Sequence, residues 1–152
     1  MPGLELLRIE AADIPAICVI ILFLPQGLKM LHGDAGIKTK IGFPLFPGVM
    51  TPSEIEQGLS FGIKVLKYFP AEASGGISML KAVSTPYGHI GVKFIPTGGI
   101  NIKNLEDYLM LPQVLVAGGT WIAKKDMISA KKWDDIEKNA REVVDLVSRL
   151  RG

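Results

Sequence analysis

Short apolar runs, each closed by proline or glycine and each followed by an amphipathic stretch, recur from Phe43 to the C-terminus. Such runs are too short for buried helices and the right length for buried strands. The repeat is therefore that of βα units feeding a parallel sheet, an α/β fold. Pro44-Leu-Phe-Pro-Gly48 reads as the first strand. Thr51-Pro-Ser-Glu54 opens a helix, with Thr51 as cap, Pro52 in the first turn and Glu54 closing a capping box. Ile55, Gly58 and Leu59 form its inner face, and Gly62 can end it in a left-handed conformation. Ile63 to Phe69 is the second strand, ended by Pro70, and Ile77, Leu80 and Val83 share one face of the helix after it. Val92 to Pro96 is the third strand, and Asn101 is placed to cap a helix presenting Leu105, Tyr108 and Leu109. Val114 to Ala117 is the fourth and runs into Gly118-Gly-Thr120. A last helix from about Asp134 buries Ile136, Ala140, Val143, Val147 and Leu150. On its outer face Glu137 pairs with Arg141 and Asp145 with Arg149 at i,i+4. Four strands with helices between them make half a barrel by count.

A chain of 152 residues, 48% hydrophobic and 21% charged, is long enough for one cored domain and too apolar for disorder. Its formal charge of +2 is too near zero to point to nucleic acid or an acidic membrane surface. One cysteine, Cys18, leaves no internal disulfide and fits a reducing cytosol. His32 and His89 are far apart and lack a cysteine cluster, which argues against a metal site. The apolar run Ile17 to Leu24 is bracketed by Pro15 and Pro25, and eight residues are too few to span a bilayer. Glu5, Arg8, Glu10 and Asp13 precede it, unlike the basic start of a secretory signal. The run reads as a buried strand, and with no targeting segment visible the expected location is cytoplasmic.

Two features carry chemistry. Strand alternation puts Ile63, Val65, Lys67 and Phe69 on one face, so Lys67 loses water between Val65 and Phe69. Desolvation favours the neutral amine, the nucleophile of Schiff-base chemistry. The same position also suits a lysine that snorkels from a strand end toward solvent. The second feature is a pair of glycine doublets, Gly98-Gly99 and Gly118-Gly119, each just after a strand. Glycine lets backbone N–H groups approach an anion closely, and helix starts that follow add positive dipole ends. Ordinary turn chemistry would place glycine there too.

Four segments then agree, in order and spacing, with one family. Val65-Leu-Lys-Tyr-Phe-Pro-Ala-Glu-Ala-Ser-Gly-Gly76 resembles the active-site strand and loop of the Schiff-base aldolases acting on 2-keto-3-deoxy-6-phosphogluconate (KDPG) and 4-hydroxy-2-oxoglutarate (KHG). Phe46-Pro-Gly-Val-Met-Thr-Pro-Ser-Glu54 resembles their preceding strand and helix start. Ile95-Pro-Thr-Gly-Gly-Ile100 and Ala117-Gly-Gly-Thr-Trp121 resemble their last two strand ends. The resemblance covers about 43–152 and implies a TIM-type (β/α)8 barrel, usually a homotrimer, of which this chain carries the C-terminal half. Residues 1–42 are then an atypical segment. It implies a class I aldolase, a lyase that cleaves KDPG to pyruvate and glyceraldehyde 3-phosphate, with many members also taking KHG. No cofactor and no metal are implied, and the partner is a phosphorylated 2-keto acid. Residue by residue, Lys67 matches the lysine that forms the iminium, Phe69 the aromatic beside it and Thr97 the threonine near the substrate carboxylate. Gly98, Gly99, Gly119 and Thr120 match the phosphate-binding segments, with Thr120 standing where many relatives have serine.

The family's base is a glutamate in a Glu-Val-Thr-x-Arg-like segment on an early strand, and a Gly-Ala-Gly-Thr turn follows. Residues 1–42 contain neither. A (β/α)8 barrel also needs about 200 residues or more. The expectation is a truncated chain that turns over weakly at best and self-associates to cover its open sheet edges. The alternative is a non-catalytic remnant that keeps the phosphate cradle. Glu72, just past Lys67, can be asked to act as the base.

Overall fold

The computed structural model describes residues 46–151. The Ile17 to Leu24 run, Cys18, His32, Pro44 and all of 1–42 lie outside the described residues. Strands β1 (Gly48–Val49), β2 (Val65–Tyr68) and β3 (Lys93–Pro96) form a parallel sheet in that order. Helices α1 (Pro52–Ser60) and α2 (Gly76–Ser84) make the two crossovers, the second continued by a 3-10 turn over Thr85–Ile90. After β3 come α3 (Leu105–Met110), α4 (Lys125–Ser129) and α5 (Trp133–Arg151).

Local sequence explains where α1 begins and ends. Glu54 N–H donates to Thr51 Oγ1, and the Glu54 carboxylate accepts from the N–H groups of Met50 and Thr51, both at 2.8 Å. The box therefore satisfies the N–H groups that a helix start leaves without partners. At the other end Gly62 sits at φ +75, its N–H donates to Leu59 O, and Ile63 N–H donates to Gly58 O. This is the Schellman stop, and it needs a residue that tolerates positive φ. Ile55 and Gly58 are buried, and a Cβ on Gly58 would come within 2.8 Å of Leu66.

The sheet separates two apolar environments. Leu66, Tyr68 and Phe94 pack with Ile55, Leu80, Leu105, Tyr108, Val143 and Val147 from the helices. Val65, Ile95, Leu115 and Val116 form a second cluster, with Phe46 against it. The inner faces of α2 and α3 are those expected, with Leu80, Val83, Leu105, Tyr108 and Leu109 buried.

Among the described residues the strands are shorter than expected, with β1 at Gly48–Val49 rather than Pro44 to Gly48 and β2 at Val65–Tyr68 rather than Ile63 to Phe69. Four further details differ from expectation. The fourth strand over Val114 to Ala117 is present only as two isolated parallel bridges, Phe94 to Val114 and Thr97 to Gly118. Three steps along β3 match four along this segment, so it holds one extra residue, and Leu115 and Val116 both join the second cluster. Asn101 caps a turn rather than a helix: its Oδ1 accepts from Lys103 N–H, and α3 starts only at Leu105. Arg149 reaches Glu106 of α3 at 3.8 Å instead of pairing with Asp145, whereas Glu137 and Arg141 do pair. Leu146 is buried in α5 and Ile136 only partly, because α5 packs on α3 through its second half.

The capping box yields a testable expectation. Thr51→Ala should cost about 1 kcal/mol in thermal or denaturant unfolding. Hydrogen bonds to its carboxylate from Met50 N–H, then Thr51 N–H and the Thr51 hydroxyl, hold the Glu54 carboxyl below the usual range. A depressed folded pKa contributes stability above the unfolded value and loses it as pH falls through the folded one. Glu54→Gln should therefore be less stable than wild type at pH 7, with the gap closing in acid below the folded Glu54 pKa. A gap unchanged down to pH 2 would contradict this origin.

Candidate functional site

Register assembles the site. Lys67 pairs with Gly48 on one side and Ile95 on the other, and paired residues in a parallel sheet share a face. Alternation then sets Val65, Lys67 and Phe69 beside Ile95 and Thr97, opposite the helix-packed core. Lys67 is half-buried, and its Nζ lies 5.0 Å from the centroid of the Phe69 ring. Phe69 is 51% exposed, so the ring presents a face to the Lys67 Nζ rather than filling a core.

Thr97 stands at the end of β3 with 8% exposure, and among the described residues its Oγ1 has no hydrogen-bond partner. A buried hydroxyl without a partner is costly, and it marks a place where a polar group of a ligand would be stabilised. The loop after β2 is fastened beside it. Ala71 N–H donates to Thr97 O at 2.8 Å, and Glu72 N–H to Gly98 O at 3.0 Å.

The bridge from Thr97 to Gly118 brings the two glycine doublets together. Gly98 and Gly99 adopt φ +91 and +87, which only glycine takes without strain. A Cβ on Gly119 would strike the Trp121 ring and lie 2.7 Å from Ile100 O, so the two loops touch. Among the described residues no acceptor is found for the N–H groups of Gly98, Gly99, Ile100, Gly119 or Thr120. Such a set of free N–H groups can hold an anion. The expected dipole contribution is not adjacent, because α3 and α4 begin several residues downstream, at Leu105 and Lys125. Thr120 is exposed beside Gly119.

Glu72 is the carboxylate nearest Lys67 along the following chain, and the structure turns it away from the lysine. Tyr108 Oη donates to Glu72 Oε1 at 2.6 Å, and Tyr108 belongs to the helix-side core. Burial pushes the Tyr108 phenol upward, and the hydrogen bond and charge of Glu72 add to the shift, so Tyr108 stays a protonated donor. In the sequence Tyr108 carries only the signal of a core residue. Its helical spacing gave that much, but the partner lies 36 residues away and no local pattern marks it.

Among the described residues no group of three His, Cys, Asp or Glu is arranged to hold a metal, and no helix is long and apolar enough to cross a membrane.

The family described as "Aldolase: KDPG and KHG aldolase" matches residues 26–139. A 2-dehydro-3-deoxy-phosphogluconate aldolase of Haemophilus influenzae is 44% identical over 107 residues, 70% of this chain and 50% of that protein. A KHG/KDPG aldolase of Escherichia coli is 46% identical over 102 residues, 67% of this chain and 47% of its own. The chain thus spans about half the length of the curated relatives it matches. Among solved structures, a KDPG aldolase from Legionella pneumophila, with pyruvate captured as a covalent carbinolamine intermediate, superposes with TM-score 0.61 at 48% identity. That match covers 65% of this chain and 47% of the other. A 2-keto-3-deoxy-6-phosphogluconate aldolase of Zymomonas mobilis with 3-phosphoglycerate gives TM-score 0.53 at 35% identity, covering 63% and 46%.

The unpartnered hydroxyl makes a two-sided prediction. Thr97→Val keeps the shape and removes the orphaned group, so the free protein should be unchanged or more stable by up to about 1 kcal/mol. Thermal unfolding checks this, and a loss of 2 kcal/mol or more would mean Oγ1 has a partner.

Proposed function

From the premise that this chain belongs to the KDPG and KHG aldolase family, whose named members are lyases, we propose that it acts on KDPG through a Schiff base on Lys67. KHG is the second substrate of this reading. The reading uses residues 43–152 as the C-terminal half of a (β/α)8 barrel of the family's type, working in the cytoplasm as a homo-oligomer, with a trimer expected. The observation that carries it is the shared face of β2 and β3. A half-buried primary amine, an aromatic ring 5.0 Å away and an unpartnered threonine hydroxyl converge there, next to two loops with free N–H groups.

In this reading Lys67 Nζ attacks the C2 ketone, and loss of water leaves an iminium. Thr97 Oγ1 donates to the substrate carboxylate, which gives the buried hydroxyl its partner. The turns at Gly98-Gly99 and Gly119-Thr120 hold the phosphate through backbone N–H groups. When a base removes the proton of the C4 hydroxyl, the C3–C4 bond breaks. Its electrons flow to the iminium and form an enamine, and the aldehyde leaves. Protonation at C3 and hydrolysis then release pyruvate and free Lys67. Phe69 lines the lysine and limits water on one side of the imine.

A second reading, a catalytically impaired chain that binds keto acid and phosphate, is favoured by one observation. The described side chains on the face of Lys67 include no carboxylate, and Glu72 is engaged by Tyr108. General-base assistance is worth about 10²- to 10⁴-fold, so turnover of KDPG should fall below that of a full-length relative by that order. Adduct formation separates binding from turnover. Borohydride reduction with pyruvate should label Lys67, read by peptide mass spectrometry, and Lys67→Met should abolish the label. Labelling spread over surface lysines would overturn the assignment of Lys67. Turnover equal to the relative's would remove the impaired reading.

A further inference from the structure

We propose that Glu72 is a positioning residue: with Tyr108, Asn101 and Asn104 it closes a ring of contacts that sets the shape of the Gly98-Gly99 turn. The proposal rests on the reading that this turn takes an anion, and goes beyond it by saying what holds the turn open for one.

The ring can be followed atom by atom. Gly99 O accepts from Asn101 Nδ2 at 3.1 Å and from Asn104 Nδ2 at 3.2 Å. Asn104 Oδ1 accepts in turn from Asn101 N–H at 2.8 Å. Asn104 immediately precedes α3, and Tyr108 stands one turn later on that helix. Tyr108 Oη donates to Glu72 Oε1 at 2.6 Å, and Glu72 N–H donates to Gly98 O at 3.0 Å. The Glu72 side chain lies over Gly99 so closely that a Cβ there would be 2.6 Å from Glu72 Cβ and Cγ. Gly76 makes room behind, since a Cβ on it would meet Glu72 Oε1 at 3.3 Å and Tyr108 Oη at 3.8 Å. Every contact in the ring falls on the carbonyl or Cα side of the turn, so none competes for the N–H groups of Gly98, Gly99 and Ile100. Tyr108 is fully buried, and a hydrogen bond from a buried phenol to a carboxylate is stronger than one between neutral groups.

The sign of the effect separates positioning from charge. A carboxylate near an anion repels it, so a Glu72 acting only through its charge would weaken phosphate binding, and removing it would tighten binding. Positioning gives the opposite sign.

The test compares Glu72→Ala, Glu72→Gln and Tyr108→Phe in the full chain, with inorganic phosphate as probe. Glu72→Ala should weaken phosphate binding about tenfold, Tyr108→Phe less, and Glu72→Gln, which keeps an acceptor for Tyr108, should stay within about threefold of wild type. Amide exchange reads the ring without any ligand. The Ala71 and Asn101 amides should exchange about tenfold faster in Glu72→Ala, whereas that of Val143 in α5 should not change. Unchanged or tighter phosphate binding in Glu72→Ala overturns the proposal, as does unchanged exchange at Ala71 and Asn101. A wild-type protein that binds no phosphate, with the exchange result intact, would remove the anion reading and leave the ring standing.

Discussion

Leu66 and Tyr68 are wholly buried against the helices, and strand side chains alternate, so their burial forces Val65, Lys67 and Phe69 to the opposite face. A slip of one residue would move Lys67 into that core, where an unpaired ammonium costs several kcal/mol, and would expose two large side chains. The register of β2 is therefore strongly specified by residues that have no part in chemistry. Everything at the site inherits it: Lys67 opposite Ile95, Thr97 one step further along the same face, and the following loop zipped to β3 through Ala71 and Glu72.

The glycines at the two strand ends answer different constraints. Gly98 and Gly99 need positive φ, and the space their absent side chains leave is filled by the Phe69 ring and the Glu72 side chain. Gly119 has no such dihedral requirement, but the Trp121 ring and Ile100 O stand where a Cβ would be. In both doublets the missing side chain is used for packing, and the free N–H groups result from the backbone geometry that this packing fixes. Close packing and an anion cradle are thus one arrangement here, not competing explanations of the same residues.

Much of this was legible in the chain because the signals are local. The Thr51 and Glu54 box, the Gly62 stop and the inner faces of three helices each depend on residues within one or two turns. The neighbours of Lys67 followed from alternation alone. What stayed hidden depends on distant partners. Asn101 has the chemistry of a helix cap and its Oδ1 does accept from Lys103 N–H, but the turn it caps is separate from α3, which starts at Leu105. Arg149 had an i,i+4 partner in sequence, but Glu106 on a packed helix lies within its reach. Glu72 could be suspected as a base from its closeness to Lys67, and only the fold reveals the phenol that holds it elsewhere.

The extra residue at Leu115 and Val116 shows how far such distant control extends. In unbroken register Ala117 would oppose Thr97; with the insertion Gly118 does, and Gly119 is drawn against Ile100. Leu115 N–H donates to Phe94 O, so Leu115 O faces β3 at Pro96, which has no N–H to offer, and the end of α5 supplies donors instead. The Arg151 guanidinium donates to Val114 O at 3.0 Å, Leu115 O at 3.1 Å and also to Leu109 O. Burial lowers its proton affinity, but a guanidinium keeps its charge, so it can satisfy three carbonyls at once. A lysine would offer no planar fork to span them. One side chain of α5 is thus tied to the start of the segment that ends in the second glycine doublet. The link runs through backbone carbonyls and not through any residue that would touch a substrate.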